Sequence, residues 1–285
     1  MTTALLGTGI LGTAIGEAML ARGESLVVWN RTMHKTASLA SKGARVARAA
    51  HEAVAAAERV HLVLSDDDAV DAVLADIAPG ADAIVIDHTT SLPRRTKDRG
   101  ERCALRSVAF LSAPVFMTPT TAREGKGMML VAGPRDVFDR ARQALERMTG
   151  DVWYLGDRTE LAVSYKLFGN CVQVAVCGAL ADVFAIARGA GVDPEQAAEI
   201  FSRYDVVRSL PTRAKKMARA DLTPSWTLEM ARKDVGLMLE TAGTTGLQLA
   251  ILRGVASSMD AAIAEGHAAD DYGVIALRAV RGSES

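Results

Sequence analysis

Three glycines near the start of the chain have the spacing of a phosphate loop. Gly7-Thr8-Gly9-Ile10-Leu11-Gly12 fits G-x-G-x-x-G. The motif follows a short apolar run and opens an alanine-rich stretch, so it sits where a strand turns into a helix. In that context Gly7 permits a tight turn, Gly9 lets the backbone approach a pyrophosphate, and Gly12 lets the helix pack close to the sheet. The helix N-terminus offers unpaired N–H groups to the anion. A second place for chemistry is Lys166, with Asn170 four residues later on the same helical face. A lysine facing an apolar groove is costly to keep charged, so its pKa is expected to fall toward neutrality. Such an amine can give a proton to a carbonyl oxygen as hydride arrives, or accept one in reverse. Asn170 would orient the lysine or bond the substrate oxygen. The competing reading is that Lys166 snorkels to water from the first turns of its helix.

The second apolar run ends Val28-Trp29-Asn30-Arg31-Thr32. NAD sites usually place an acidic side chain here, on the ribose 2′-hydroxyl. Asn30 and Arg31 would instead attract a 2′-phosphate, with Thr32 and Lys35 adding contacts, so NADP(H) is the expected cofactor. Leu64 and Ser65, at the end of a later run, are read as further cofactor contacts.

These residues need a scaffold that brings strand ends together. The 285 residues are 49% hydrophobic and 24% charged, with net charge −1, so a packed core is expected and no broad attraction to nucleic acid or anionic membrane. Ala4–Gly7, Leu26–Trp29, His61–Leu64 and Ala83–Asp87 read as strands, separated by alanine-rich helices such as Ala14–Arg22 and His51–Glu58. Val108–Leu111, Met128–Ala132 and Trp153–Leu155 would extend the sheet. From Glu160 onward only helical patterns appear, at 160–188, 194–201, 228–243, 249–265 and 271–278. The fold class implied is an α/β N-terminal Rossmann domain, doubly wound with a mostly parallel sheet, over residues 1–157. A long helix joins it to an all-α domain over 158–285. That helix has no charge between Lys166 and Asp182, so it should be buried on most faces, which argues against a monomer. Its apolar stretch, 167–180, is too short to span a bilayer. The N-terminus is a poor signal peptide, and Cys103, Cys171 and Cys177 form no metal pattern, so no metal is expected and a cytoplasmic protein is. Cys171 and Cys177 read as core residues, and residues 281–285 as a frayed end.

Taken together, these motifs resemble the β-hydroxyacid dehydrogenase family, which includes 3-hydroxyisobutyrate dehydrogenase and tartronate semialdehyde reductase. The resemblance runs from the first strand to about residue 279. Asp87-His88-Thr89-Thr90 matches a strand ending in Asp followed by a Ser/Thr pair, which makes Thr90 a cofactor contact. Ala113-Pro114-Val115 matches the Ala-Pro-Val segment, Lys166 and Asn170 the catalytic K-x-x-x-N, Lys233-Asp234 a Lys-Asp pair facing the active-site cleft, and Asp271-Tyr272 a late Asp-Tyr. The resemblance implies a Rossmann domain joined to a 6-phosphogluconate dehydrogenase-like helical domain that builds dimers or tetramers. It places the nicotinamide in the cleft between them, with Lys166 as general acid/base, Lys233 on the cofactor side and Asp234 on the substrate side.

The chain departs from the family pattern where a substrate carboxylate is usually gripped. Phe116-Met117-Thr118 replaces Ser-Gly-Gly, and Ser112 replaces an acidic residue. Val115, Phe116, Met117 and Thr118 would shape the pocket, with Thr118 or Thr120 as the remaining donors. Phe116 and Met117 could equally pack at the sheet edge. The function implied is an NADP(H)-dependent oxidoreductase of a small carbonyl or hydroxy compound, a 3-hydroxyacid or semialdehyde. The Arg-Thr turn after Asn30 also resembles imine reductases, and a non-catalytic NADPH-binding scaffold is the third reading. Elsewhere, Asp66-Asp67-Asp68 reads as a helix cap rather than a metal site, His88 as a packed histidine beside the cofactor, and Met230 and Met238 as packing. Trp226 reads either as lining the cleft or as anchoring a loop.

Overall fold

In the computed structural model, which describes residues 2–282, nine strands lie within the first part of the chain. They are β1 Thr2–Leu6, β2 Ser25–Trp29, β3 Arg45–Val46, β4 Arg59–Leu62, β5 Ile84–Asp87, β6 Ala109–Ser112, β7 Val115–Phe116, β8 Gly127–Val131 and β9 Gly150–Tyr154. The helices among them are α1 Ile10–Ala21, α2 Ala37–Ala40, α3 Ala50–Val54, α4 Asp67–Asp76, α5 Pro93–Leu105, α6 Pro119–Arg123 and α7 Arg135–Thr149. After them come α8 Glu160–Gly189, α9 Pro194–Ala198, α10 Ile200–Arg203, α11 Leu210–Ala218, α12 Leu228–Gly243, α13 Ala250–Ala264 and α14 Leu277–Arg281. The expected frayed end beyond Gly282 lies outside the described residues.

A six-stranded parallel sheet runs β3-β2-β1-β4-β5-β6. This is the doubly wound order, in which ligands bind beyond the carboxyl ends of the strands. Registers Leu6↔Trp29, Leu6↔Leu62, Leu62↔Asp87 and Asp87↔Ser112 bring those ends to one edge. Side chains alternate between the faces with period two. Leu5, Val28, Ile86 and Leu111 pack with α1 and α7, while Leu6, Val27, Val60, Leu62, Val85 and Phe110 pack with α3, α4 and α5.

β8 and β9 depart from the expected single sheet. They pair in parallel with each other, β7 pairs antiparallel with β8, and only the isolated Ser112↔Ala132 bridge joins this three-stranded sheet to the first. The chain turns at Ala113-Pro114, and Pro114 has no N–H to continue a ladder. Asp66 caps α4 by accepting from Ala69 N–H at 2.9 Å. Past the cap, Asp67 and Asp71 hold the fully buried Arg99 of α5 at 2.5 and 2.7 Å.

The chain divides into two compact units after Asn170. In the second, Asp182 on α8 accepts from Ala250, Ile251 and Leu252 N–H at 2.8–3.0 Å, so it caps α13. Gly189 admits the Thr241 carbonyl, which a Cβ would meet at 2.0 Å. Asp271, almost wholly buried, binds Arg213 at 2.5 Å, Lys216 at 3.0 Å and the Ser225 and Gly273 N–H groups at 3.0 Å. Burial works to raise this carboxyl, but the Ser225 and Gly273 N–H groups, Lys216 and the Ser225 hydroxyl hold it well below the usual carboxylate range. Trp226 proves a loop anchor, edge-on to Tyr272 and accepting from its N–H.

The burial expected for α8 is not met within one chain. Phe168, Val172, Val174 and Val176 are exposed, and so are Cys171 and Cys177, which are therefore not core residues. The reason is length. Thirty residues extend well past the α12 and α13 contacts made around Gly178, Asp182 and Gly189. The helix is also long enough to cross a membrane, and an 18-residue window within it is apolar enough, with mean hydropathy 1.7. Met230 is likewise exposed rather than packed.

Candidate functional site

Beyond the carboxyl edge of the parallel sheet lies a cavity of about 580 Å³ built from the first unit. The glycine loop forms its floor. Gly7 has φ +102°, and a Cβ there would meet the Val63 carbonyl at 2.1 Å. At Gly12 a Cβ would meet the Gly7 carbonyl at 2.0 Å, so this glycine admits α1 against the loop itself. Gly9 differs, because nothing lies within 4 Å of its Cβ position. The space over Gly9 is open while the other two glycines are packed. The first turn of α1 carries no acidic residue, so its N–H groups face the cavity without a competing charge.

Gly7, Gly9, Ile10, Leu11 and Gly12 line this cavity with Asn30, Arg31, Thr32 and Lys35. Leu64, Ser65 and Thr90 complete the residues that the sequence brings here. Thr8 does not line it. Its side chain is buried, its hydroxyl donates to the Lys35 carbonyl at 3.0 Å, and its N–H donates to Asn30 Oδ1 at 3.1 Å. Asn30 is thus engaged on both ends, since its amide also donates to the Thr32 carbonyl at 3.0 Å. Asn30 builds the turn rather than reaching out of it, and Arg31 and Lys35 are the exposed cations among the described residues that line the cavity. Arg31 acts electrostatically on Asp66, whose carboxyl is held low chiefly by the Ser65 hydroxyl and the Ala69 N–H.

The cavity also recruits residues that sequence reasoning did not single out. Ala69, Ala72, Val73 and Asp76 line it from α4. Their spacing of i, i+3, i+4, i+7 marks one helical face and was available as a signal. Trp29, Val63 and Thr89 follow from the aligned strand ends. Thr89 accepts from Leu64 N–H at 3.2 Å and donates its own N–H to Asp87 at 2.9 Å. Burial pushes the Asp87 carboxyl up to about 6, against the Thr89 hydrogen bonds that lower it.

His88 also lines the cavity and is tied inward. Its Nδ1 lies 2.7 Å from the Ala113 carbonyl and its Nε2 lies 2.9 Å from His61 Nδ1. A carbonyl only accepts, so Nδ1 of His88 carries the proton and Nε2 receives the one on His61 Nδ1. Burial pushes His88 down to about 4, and burial with His88 and Arg59 nearby holds His61 well below its ordinary value.

The segment expected to shape a substrate pocket is mostly committed elsewhere. Val115 is buried in the main core, so it packs rather than lines. Thr118 is the N-cap of α6 in a reciprocal box with Thr121, its hydroxyl oxygen accepting from the Thr121 N–H, which leaves the O–H proton of this exposed side chain uncommitted by the cap. Met117 packs over Gly127. Phe116 faces the other way, onto the opening turns of α8. Its ring centroid lies 3.8 Å from Lys166 Nζ. Among the described residues Lys166 has no carboxylate partner, and burial lowers its pKa. Asn170, one turn on, is half-buried. Lys233 and Asp234 lie on α12 of the second unit, where they pair with each other at 3.0 Å.

Two family models cover nearly all of the chain. Residues 2–156 match the NAD binding domain of 6-phosphogluconate dehydrogenase, and residues 162–278 match the NAD-binding region of NADP-dependent 3-hydroxyisobutyrate dehydrogenase. The chain belongs to the β-hydroxyacid dehydrogenase family. A relative in Bacillus subtilis, the uncharacterized oxidoreductase YfjR, is 25% identical over 96% of this chain and 98% of its own. Glyoxylate/succinic semialdehyde reductase 2 of Arabidopsis thaliana, chloroplastic, is 24% identical over 98% of this chain and 80% of its own. Among solved structures, an imine reductase from Myxococcus stipitatus in complex with NADP+ superposes with TM-score 0.89 over 97% of this chain and 99% of its own, at 19% identity. The chain thus belongs to an oxidoreductase family of nicotinamide-binding type and has that family's two-part architecture.

Proposed function

We propose that the chain is an NADP(H)-dependent reductase of a small carbonyl compound, reversible as a hydroxy-compound dehydrogenase, with Lys166 transferring the proton. The observation that carries this reading is Lys166 itself, half-buried and without a counter-ion among the described residues. A lysine held this way is neither a surface charge nor a structural ion pair. Burial lowers its pKa, which makes the ammonium a readier proton donor than a surface lysine.

The first unit fits a dinucleotide. The open space over Gly9, the uncompensated N–H groups of α1 and the cavity beyond the strand ends suit a pyrophosphate and its nucleoside. Arg31 and Lys35 suit a 2′-phosphate, and Asn30, not a carboxylate, stands directly after β2. When bound, the nicotinamide supplies hydride in reduction and accepts it in oxidation. Lys166 as ammonium hydrogen-bonds the carbonyl oxygen and delivers its proton there. As free amine it removes the hydroxyl proton in the reverse direction. Asn170 orients the same oxygen.

The sign of the pH dependence follows. Reduction needs the ammonium, so its rate falls as pH rises through the lowered pKa of Lys166, whereas oxidation rises over the same range. The chain is also read as a homodimer or homotetramer, with a second copy covering the exposed face of α8.

The test is NADPH consumption across glyoxylate, acidic semialdehydes, uncharged aldehydes and a cyclic imine, with NADH alongside. Lys166→Ala is expected to lose about 100- to 10,000-fold in carbonyl reduction while still binding NADPH. Arg31→Ala should raise the KM for NADPH about tenfold and leave that for NADH unchanged. A Lys166→Ala protein as active as the parent, or turnover of the imine alone, would replace this reading with imine reduction.

A further inference from the structure

Phe116 and Gly169 make a fitted pair beneath Lys166. A Cβ at Gly169 would lie 2.4 Å from Phe116 Cζ and 2.8 Å from Cε1, so the ring occupies the space that a side chain on α8 would fill. The absence of that side chain brings the ring face under the lysine, 3.8 Å from centroid to Nζ. No other partner of the ammonium exists among the described residues. β7 and β8 carry no ionisable group. β9 brings Asp151 and Tyr154, and the single O–H of the Tyr154 phenol is shared between Asp157 Oδ1 at 2.7 Å and the Gly133 carbonyl at 2.9 Å. On α8, Glu160 pairs with Arg158, and Tyr165 lies against Trp153 and Phe168.

The choice of partner matters chemically. A carboxylate would hold the ammonium in place, but it would also bind its proton and raise its pKa. An aromatic face attracts the cation without accepting a proton and leaves all three N–H bonds free for a substrate oxygen. We infer that Phe116 is the positioning residue for Lys166, its ring aiming the amine without a counter-ion and Gly169 making room for that ring. The inference rests on Lys166 being the proton-transfer group.

Two measurements test it. With ε-13C-labelled lysine, the Lys166 resonance in the intact protein should show an upfield ring-current shift for the adjoining protons. Phe116→Leu, which keeps apolar volume and removes the ring, should abolish that shift and move the titration to lower pH. In NADPH-dependent reduction of the best carbonyl in the panel, Phe116→Leu should lower kcat about three- to thirtyfold with the KM for NADPH unchanged. Its alkaline limb should move the same way as the resonance. Phe116→Tyr should restore most of the loss. Gly169→Ala, which displaces the ring from the α8 side, should reproduce the effect if Phe116→Leu does not fold. If Phe116→Leu leaves the lysine resonance and kcat as in the parent while Lys166→Ala is inactive, the positioning role is wrong and the proton-transfer role stands. If Lys166→Ala is fully active, both fail.

Discussion

A buried acid and two buried histidines sit at neighbouring strand ends, and their effects on stability run in opposite directions. Asp87 has a folded pKa raised to about 6 from an ordinary 3.8. A raised acid contributes stability at low pH that is lost as pH rises through 6. His88, lowered to about 4, and His61 behave the other way. Their contribution is present above their unfolded pKa near 6.5 and is lost as pH falls toward 4. Asp87→Asn isolates the first effect, because its amide oxygen can still accept from the Thr89 N–H. The variant should be more stable than the parent by about 1–3 kcal/mol at pH 8 and nearly equal to it at pH 4, measured by denaturant unfolding. An equal gain at both pH values would mean that Asp87 is not held as the buried acid described.

At the scale of elements, the phosphate loop separates two jobs that glycine can do. Gly12 has the Gly7 carbonyl against it and Gly9 has nothing. Gly12→Ala should therefore cost about 1–3 kcal/mol or more, since a backbone atom cannot step aside as a side chain would. Gly9→Ala should keep thermal stability within about 1 kcal/mol and lose NADPH affinity in calorimetric titration. Unchanged affinity in Gly9→Ala would mean that the open space is not the pyrophosphate site. Much of this was legible beforehand. The glycine spacing, the strand ends and the Lys166–Asn170 interval are local patterns that composition and period reveal. What sequence could not show were pairings set by distance in space. The second sheet depends on β7 turning back on β8. Val115 proved committed to the core, and Thr118 proved to be the N-cap of α6, because β7 faces two ways and α6 begins at once. His61 finds His88 only through strand register, and Phe116 finds Gly169 across a gap of more than fifty residues.

At the scale of the whole molecule, α8 leaves a run of apolar side chains open. Val174 is 71% exposed and Phe168 63%, in a helix with no charge between Lys166 and Asp182. Contiguous apolar surface of this kind marks a contact site. Light scattering should find the parent as a dimer or larger and Val174→Glu shifted toward monomer. A parent that is monomeric in buffer and partitions onto phospholipid vesicles would overturn the self-association reading. The same helix also governs how the protein could be recombined. The family models part between 156 and 162, inside the short stretch that leads into α8. Packing parts only after Asn170, because Ala162 and Val163 are buried in the first unit and Ala162 closes a cluster with Leu130 and Ala132. A chimera spliced at the earlier point would graft a foreign lysine turn onto a native nucleotide half and leave Phe116 facing a helix it did not evolve with. A crossover within α8, past Asn170, would keep Phe116, Lys166, Gly169 and Asn170 together in one piece. The packing boundary falls in the middle of a helix, not in the loop that precedes it.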